Sequence, residues 1–441
     1  MAGQSGAPLV AVHLPRPEAA RAVTAAWDRG DAVLVLDPAA PPAVVTSLMA
    51  RLRPTHLTTA EGLRALPAGA EAAAGSAAVV VTSGTTGDPK GAELSVAGLE
   101  AIGGAFAATL GVEPGDRALV CLPLHHVAGL AILARARVSR MPVTVHPSFD
   151  LAAVSSAPRT EGVTVVSLVP TMLRRLLDVG APLHEFRRVI LGGAPTPPDL
   201  RARAEAEGAP IVDAYGLSET WGGVVLDGTP VPGAEVRIED GEIQIRGEMV
   251  MRGYRLAPHA TAAAFTSEAW FRTGDIGTLD DGRVRVIDRV RDIVISGGVN
   301  VSPTAVEAVL STHPDVTDVC VTGTPDREWG ERVVAFVVPR DDAHPTLDQL
   351  RAHAGDRLST VQLPKQVVLV DAIPRTPGAR PCAASCGCPS EQPSPAADAR
   401  RGQRRPPPRR RELGLRDEVG RLPRDRRGRR RTVTHRVAPR Q

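Results

Sequence analysis

The chain has 441 residues, 43% hydrophobic and 23% charged, which suits two or three globular domains and excludes a fibrous or wholly disordered protein. Its net charge of +3 conceals two populations: residues 379–441 hold 18 of the 52 basic and 6 of the 49 acidic residues, giving +12 there and −9 elsewhere. A basic-protein reading of the whole chain is thereby excluded, and no apolar run approaches the roughly 18 residues of a membrane span. The first twenty residues lack a basic start followed by a continuous apolar stretch, so no signal peptide is expected and a cytoplasmic location is.

From about residue 8 to 290, short β-branched runs alternate with Ala/Leu-rich helical patterns, which predicts an α/β domain with a largely parallel sheet. Strand candidates are 32–36, 78–81, 163–166 and 188–191. Over 171–177, Met172, Leu173, Leu176 and Leu177 share one helical face and predict a core stripe. After Gly233 the texture becomes that of a small antiparallel sheet or barrel, with strands at 235–238, 242–245 and 283–286, the last following the turn residues Asp281-Gly282. Between about 290 and 378 a small C-terminal α+β domain is predicted, with strands at 316–321 and 333–338 and a helix at 303–310. The expected organisation is a large domain over 1–288, a hinge at 289–292, a small mobile domain over 293–378 and a disordered Arg/Pro-rich tail over 379–441. Cys121 and Cys320 are isolated in apolar surroundings and read as buried, inert thiols. Cys382, Cys386 and Cys388 in the tail have no histidine nearby, which argues against reading them as a metal site.

The chemistry begins with Thr82-Ser83-Gly84-Thr85-Thr86-Gly87-Asp88-Pro89-Lys90-Gly91, directly after an apolar strand. Glycines let backbone amides approach phosphate oxygens, hydroxyls add donors and Lys90 offers a compact cation, so the loop reads as a nucleotide-phosphate grip. It lacks the Gly-Lys-Ser/Thr order of a Walker loop. Lys90 and Lys365 are the only lysines, so a need for an amine has two candidates. Gly192-Gly193-Ala194-Pro195 follows a strand and so stands where open α/β sheets bind ligands.

The glycine- and hydroxyl-rich string resembles the phosphate loop of the adenylate-forming acyl-CoA synthetase superfamily, and further strings match in that superfamily's order. Leu122 to Leu130 resembles its histidine motif, which implies that His126 stands between acyl pocket and nucleotide, while His125 keeps the ordinary role of a core or surface histidine. The resemblance implies that Gly193, Ala194 and Pro195 line the adenine and acyl sites. In Tyr215-Gly216-Leu217-Ser218-Glu219-Thr220 it implies a tyrosine stacked on adenine, hydroxyls meeting phosphate and Glu219 holding Mg2+. Within Phe271 to Asp275 it makes Asp275 the acceptor for the ribose hydroxyls. Asp288 to Gly298 resembles the hinge motif, with Arg289 reaching ribose or phosphate. Arg291 stands at the pivot, where the family usually has Asp or Lys, and Asp288 replaces the family's glycine.

The strings 218–223, 227–233, 168–171 and 191–195 most resemble o-succinylbenzoate-CoA ligases of menaquinone synthesis. The implied activity is a two-step ligation: ATP activates the acid as an acyl-adenylate, then CoA displaces AMP, with Mg2+ as cofactor. Other acids (fatty, aryl or amino) would use the same motifs. An adenylation-impaired nucleotide-binding remnant is a further reading. Nucleic acid is not expected as a partner, because the Arg-rich tail holds no aromatic residue. Whether the chain forms a homo-oligomer stays open.

In the family, Ile373-Pro374-Arg375-Thr376-Pro377-Gly378 runs into Gly-Lys, whose lysine bridges carboxylate and phosphate, yet Ala379-Arg380-Pro381-Cys382 follows here. Codons exist for Gly378 to Gly387 in which one inserted G restores Gly-Gly-Lys-Ala-Leu-Arg-Arg-Glu-Leu-Arg. A one-base slip near codon 378 would account together for the missing lysine, the charge reversal, the tail cysteines and the lost periodicity.

Overall fold

Runs of Val, Ala and Leu between turn residues become the inner strands of two sheets in the computed structural model, which describes residues 6–82, 89–290, 292–341 and 343–373. In the first sheet the strands lie in the order Gly253–Tyr254, Lys90–Ser95, Ser76–Thr82, Ala32–Val35, Leu9–Val12, His56–Thr59 and Gly62–Ala65. In the second the order is Thr229–Pro230, Gly222–Leu226, Ile211–Leu217, Arg188–Leu191, Val165–Leu168, Ala118–Val120 and Val143–Val145. The inner pairings of both are parallel; antiparallel strands close both edges of the first sheet and one edge of the second, whose other edge strand, Val143–Val145, is parallel. The predicted strand at 163–166 starts two residues later, at Val165, and Thr164 just before it accepts from the Arg117 amide and donates to the Asp116 carboxylate through its hydroxyl.

Asp116 is buried and receives hydrogen bonds from the Glu113 amide (2.7 Å), Thr164 Oγ1 (2.7 Å) and Arg187 Nε (2.8 Å). These residues stand just before the strands Ala118–Val120, Val165–Leu168 and Arg188–Leu191, so one carboxylate clasps the amino ends of three neighbouring strands. Their carboxyl ends are thereby set level on the opposite edge.

Helices Val96–Leu110 and Val127–Ser139 pack against each other beside the second sheet. The first is capped by Ser95 Oγ, which accepts from the Gly98 amide, and ends at Gly111 in the left-handed region. Trp27 and Trp221 meet edge to face at 6.4 Å inside the main core, and each indole N–H is satisfied by a backbone carbonyl, of Ala77 and Ser95 respectively. On the helix Pro170–Asp178, Leu173, Leu176 and Leu177 are buried as the stripe predicts, with Met172 half-buried at its rim.

The antiparallel expectation after Gly233 also holds. Glu235–Glu239, Glu242–Arg246, Phe271–Asp280 and Arg283–Arg289 form a four-stranded meander. A further mixed sheet of Val294–Ser296, Val299–Val301, Val316–Asp326, Gly330–Pro339 and Gln366–Leu369 has its own apolar core with helices Pro303–Leu310 and Leu347–Ala354. Asp288 links the meander to that core: it accepts from Ser302 Oγ (2.6 Å) and the Thr304 amide (3.1 Å) through Oδ2, and from the Arg289 amide (2.8 Å) through Oδ1. The tail over 379–441 and the pivot residue Arg291 lie outside the described residues. Among the described residues no helix is long and apolar enough to cross a membrane.

Candidate active site

Four of the sequence-predicted segments emerge at the carboxyl ends of strands: Thr82, Gly193, Ser218-Glu219 and the segment leading to His126. Thr82 and Lys90 are register partners across an antiparallel pair. The connection between them carries Ser83, Gly84, Thr85, Thr86 and Gly87, which lie outside the described residues.

Lys90 Nζ lies 5.0 Å from the centroid of the Tyr254 ring, within cation–π range. The pairing explains this contact. Tyr254 stands opposite Ala92, and Lys90 is two residues away on the same face, a diagonal neighbour within reach of a long side chain. The Tyr254 hydroxyl in turn donates to Glu219 Oε1 at 2.8 Å. Glu219 sits in the single turn Ser218–Thr220, its backbone oxygen fixed by the Met251 amide at 2.7 Å and its side chain almost fully buried. Burial raises its carboxyl above the usual range, against the lowering effect of the Tyr254 hydrogen bond and of the Arg289 charge. Burial and the neighbouring Glu219 charge likewise push the Tyr254 hydroxyl up, so it remains a donor.

A second cluster joins three strands. Asp275 and Arg289 are register partners, and Arg289 Nε meets Asp275 Oδ1 at 3.0 Å. Tyr215, from the second sheet, donates its hydroxyl to Asp275 Oδ2 at 2.8 Å. Burial and the adjacent carboxylate raise the Tyr215 hydroxyl well above its ordinary value. Asp275 is therefore held from both sides, which fixes the plane of its carboxylate. Gly216 is required next to it: a Cβ there would meet the Gly222 carbonyl oxygen at 1.7 Å.

His126 occupies the N-cap position of helix Val127–Ser139, with its backbone oxygen accepting from the Gly129 and Leu130 amides. Its ring lies 4.3 Å from that of His125, and Nε2 is buried without a hydrogen bond among the described residues. Burial, helped by His125 and opposed by Asp37, lowers its pKa to about 4, so the ring is neutral near pH 7. Gly193 adopts a positive φ of 82° just beyond strand Arg188–Leu191, with half-buried Ala194 and exposed Pro195 continuing the loop. Ser218 is half-buried in the Glu219 turn.

Thr220 is fully buried, and its hydroxyl accepts from the Leu217 amide at 3.0 Å and donates to the Gly222 carbonyl at 2.8 Å, so it shapes the turn that carries Glu219. The residue that sequence reasoning missed is Tyr254. One signal was available: the chain has only two tyrosines, and both bond to a site carboxylate. Among the described residues no group of three or more His, Cys, Asp or Glu is arranged to hold a metal.

The description "AMP-binding enzyme" matches residues 66–255, and "AMP-binding enzyme C-terminal domain" matches residues 305–379. The chain is 39% identical over 312 residues to a protein named probable 2-succinylbenzoate--CoA ligase from Mycobacterium tuberculosis (strain ATCC 25618 / H37Rv), covering 68% of this chain and 80% of that one. It is 36% identical over 323 residues to 2-succinylbenzoate--CoA ligase of Bacillus pumilus (strain SAFR-032), spanning 68% of this chain but only 66% of that relative's length. Among solved structures, o-succinylbenzoate CoA synthetase from Bacillus subtilis, in complex with the acyl-adenylate intermediate OSB-AMP, superimposes with a TM-score of 0.76 at 28% identity, covering 85% of this chain and 87% of that one. The same enzyme in complex with ATP and magnesium ion gives 0.75 at 28% identity, covering 85% and 88%.

Proposed function

The chain belongs to the AMP-binding enzyme family, and from that premise we propose that it is an ATP-dependent acid–CoA ligase acting on 2-succinylbenzoate. The observation that carries this reading is the meeting of Tyr215, Asp275 and Arg289 from three strands, a ribose-and-phosphate grip beside the buried carboxylate of Glu219. The substrate follows from the names of the relatives.

In the first step an oxygen of the acid's carboxylate attacks the α-phosphorus of ATP. The bond to pyrophosphate breaks, and its electron pair leaves with pyrophosphate. In the second step the CoA thiolate attacks the acyl carbon, the thiol proton having gone to solvent, and AMP departs with the electrons of the acyl–oxygen bond. Asp275 accepts the ribose hydroxyls and Arg289 stands beside the ribose and phosphate. Lys90 places a compact charge next to the loop that follows Thr82. His126, neutral, divides acyl pocket from nucleotide without adding a charge that would trap the carboxylate.

The donors fit magnesium, a hard cation bound by oxygen: Glu219 is a carboxylate with one oxygen already oriented by Tyr254. Glu219 would hold Mg2+, whose chemistry when bound is to neutralise the oxygens that leave with pyrophosphate.

The test is ATP–pyrophosphate exchange over a panel of fatty, aryl, amino and dicarboxylic acids, followed by mass spectrometry of the CoA product. Exchange restricted to 2-succinylbenzoate supports the reading, and exchange with a different acid alone replaces the substrate. A second reading is favoured by one observation: the match to the C-terminal domain ends at residue 379, where the amino-acid texture changes. On that reading a one-base slip near codon 378 has replaced the native sequence beyond it, and the chain as written lacks the lysine needed for adenylation. Resequencing of that stretch of the gene decides it.

A further inference from the structure

We propose that Tyr254 is a positioning residue of the nucleotide site, one side chain that orients Glu219 through its hydroxyl and Lys90 through its ring face. The proposal rests on the reading of Glu219 as the metal carboxylate.

The geometry is built from both ends. Gly253–Tyr254 adds to the edge of Lys90–Ser95, and the Arg252 and Arg255 amides extend the pairing to the Glu93 and Gly91 carbonyls at 2.9 and 2.8 Å. Thr261 Oγ1, from helix Pro258–Ala264, accepts the Tyr254 amide at 2.8 Å. That helix approaches only because residue 253 is glycine: at φ 151° a Cβ would meet Thr261 Cγ2 at 2.5 Å. The Arg255 side chain, almost fully buried, donates to the backbone oxygens of Leu52 (2.6 Å) and Glu71 (3.1 Å), anchoring the following residue to the first sheet. A ring fixed at this many points presents a fixed hydroxyl and a fixed face.

Two consequences separate. Among the described residues Tyr254 is the only side chain that donates to Glu219, so the hydroxyl decides which way that carboxylate is turned. The ring face decides where the Lys90 ammonium rests. Loss of the hydroxyl should weaken metal binding without disturbing metal-free nucleotide binding. Loss of the ring should weaken both.

Mn2+ binding to the ATP-loaded full-length protein, followed by electron paramagnetic resonance, and ATP binding without metal, followed by calorimetry, test this. Tyr254→Phe should lower Mn2+ affinity about tenfold and leave metal-free ATP affinity within about twofold of wild type. Tyr254→Leu should match that Mn2+ loss and also weaken metal-free ATP binding by about threefold. Mn2+ affinity unchanged in Tyr254→Phe overturns the proposal, and so does metal-free ATP affinity in Tyr254→Leu equal to that in Tyr254→Phe. Tyr254→Phe keeps the packing and decides the hydroxyl's role even where Tyr254→Leu fails to fold. Glu219→Gln separates the two readings: no Mn2+ loss in that variant defeats the metal assignment itself, whereas a loss there with none in Tyr254→Phe defeats only the role of Tyr254.

Discussion

Asp288 accepts a 2.6 Å hydrogen bond from the Ser302 hydroxyl, which ties the last strand of the antiparallel meander to the start of helix Pro303–Leu310 in the next sheet's core. The same carboxylate takes the Thr304 amide, placing negative charge at a helix amino end, where it is favoured. The family resemblance implies glycine at this position, and a glycine has no carboxylate with which to make this tether. Asp288→Gly removes three hydrogen bonds and should release about 1–3 kcal/mol of local stability. Hydrogen exchange at the amides of 302–310 should rise accordingly, and an unchanged exchange pattern would show that Asp288 is not a tether.

Asp275 is held by Tyr215 on one oxygen and Arg289 on the other. Asp275→Ala leaves both partners unsatisfied and removes the proposed acceptor for the ribose hydroxyls, so ATP affinity should fall by about tenfold or more. Calorimetric titration checks this. An affinity equal to wild type would move the ribose elsewhere.

Asp116 predicts an acid-side stability slope. Burial alone would raise its pKa, but Arg187, the Glu113 amide and the Thr164 hydroxyl outweigh that and leave it below the ordinary carboxylate value. A carboxyl depressed on folding adds stability that is present above its unfolded value, about 3.9, and lost as pH falls through the folded value. Asp116→Asn should therefore melt lower than wild type near pH 6, with the gap narrowing below about pH 4. A gap that stays constant down to acid pH would mean the clasp owes nothing to charge.

If the sequence beyond 378 is out of frame, a frame-restored protein should adenylate its acid at least about a hundredfold faster than the chain as written, because a catalytic cation of the lysine type is regained. Both proteins should convert supplied acyl-adenylate and CoA to thioester. Equal adenylation rates would show that the lysine absent from this chain is not needed.

The sheets were legible in the sequence because their strands are local: Ala32–Val35 and Arg188–Leu191 are apolar runs between turn residues, and periodicity needs no partner to be seen. Asp275 and Glu219 were legible through resemblance, each inside an ordered string. Tyr254 was not, since its role depends on strand Gly253–Tyr254 pairing with Lys90–Ser95, far away in sequence, and no window of residues contains that pairing. The hydrogen bonds of Thr220 were equally hidden: a hydroxyl in a phosphate-type motif looks free until the turn that engages it is built.

With its whole complement of tyrosines, Tyr215 and Tyr254, hydrogen-bonded to the two carboxylates of one site, the protein carries its own spectroscopic labels. Biosynthetic incorporation of 3-fluorotyrosine would yield a fluorine spectrum with one resonance for Tyr215 beside Asp275 and one for Tyr254 beside Glu219, free of background from the rest of the chain. Occupancy by nucleotide and by metal could then be followed separately, without attaching any probe.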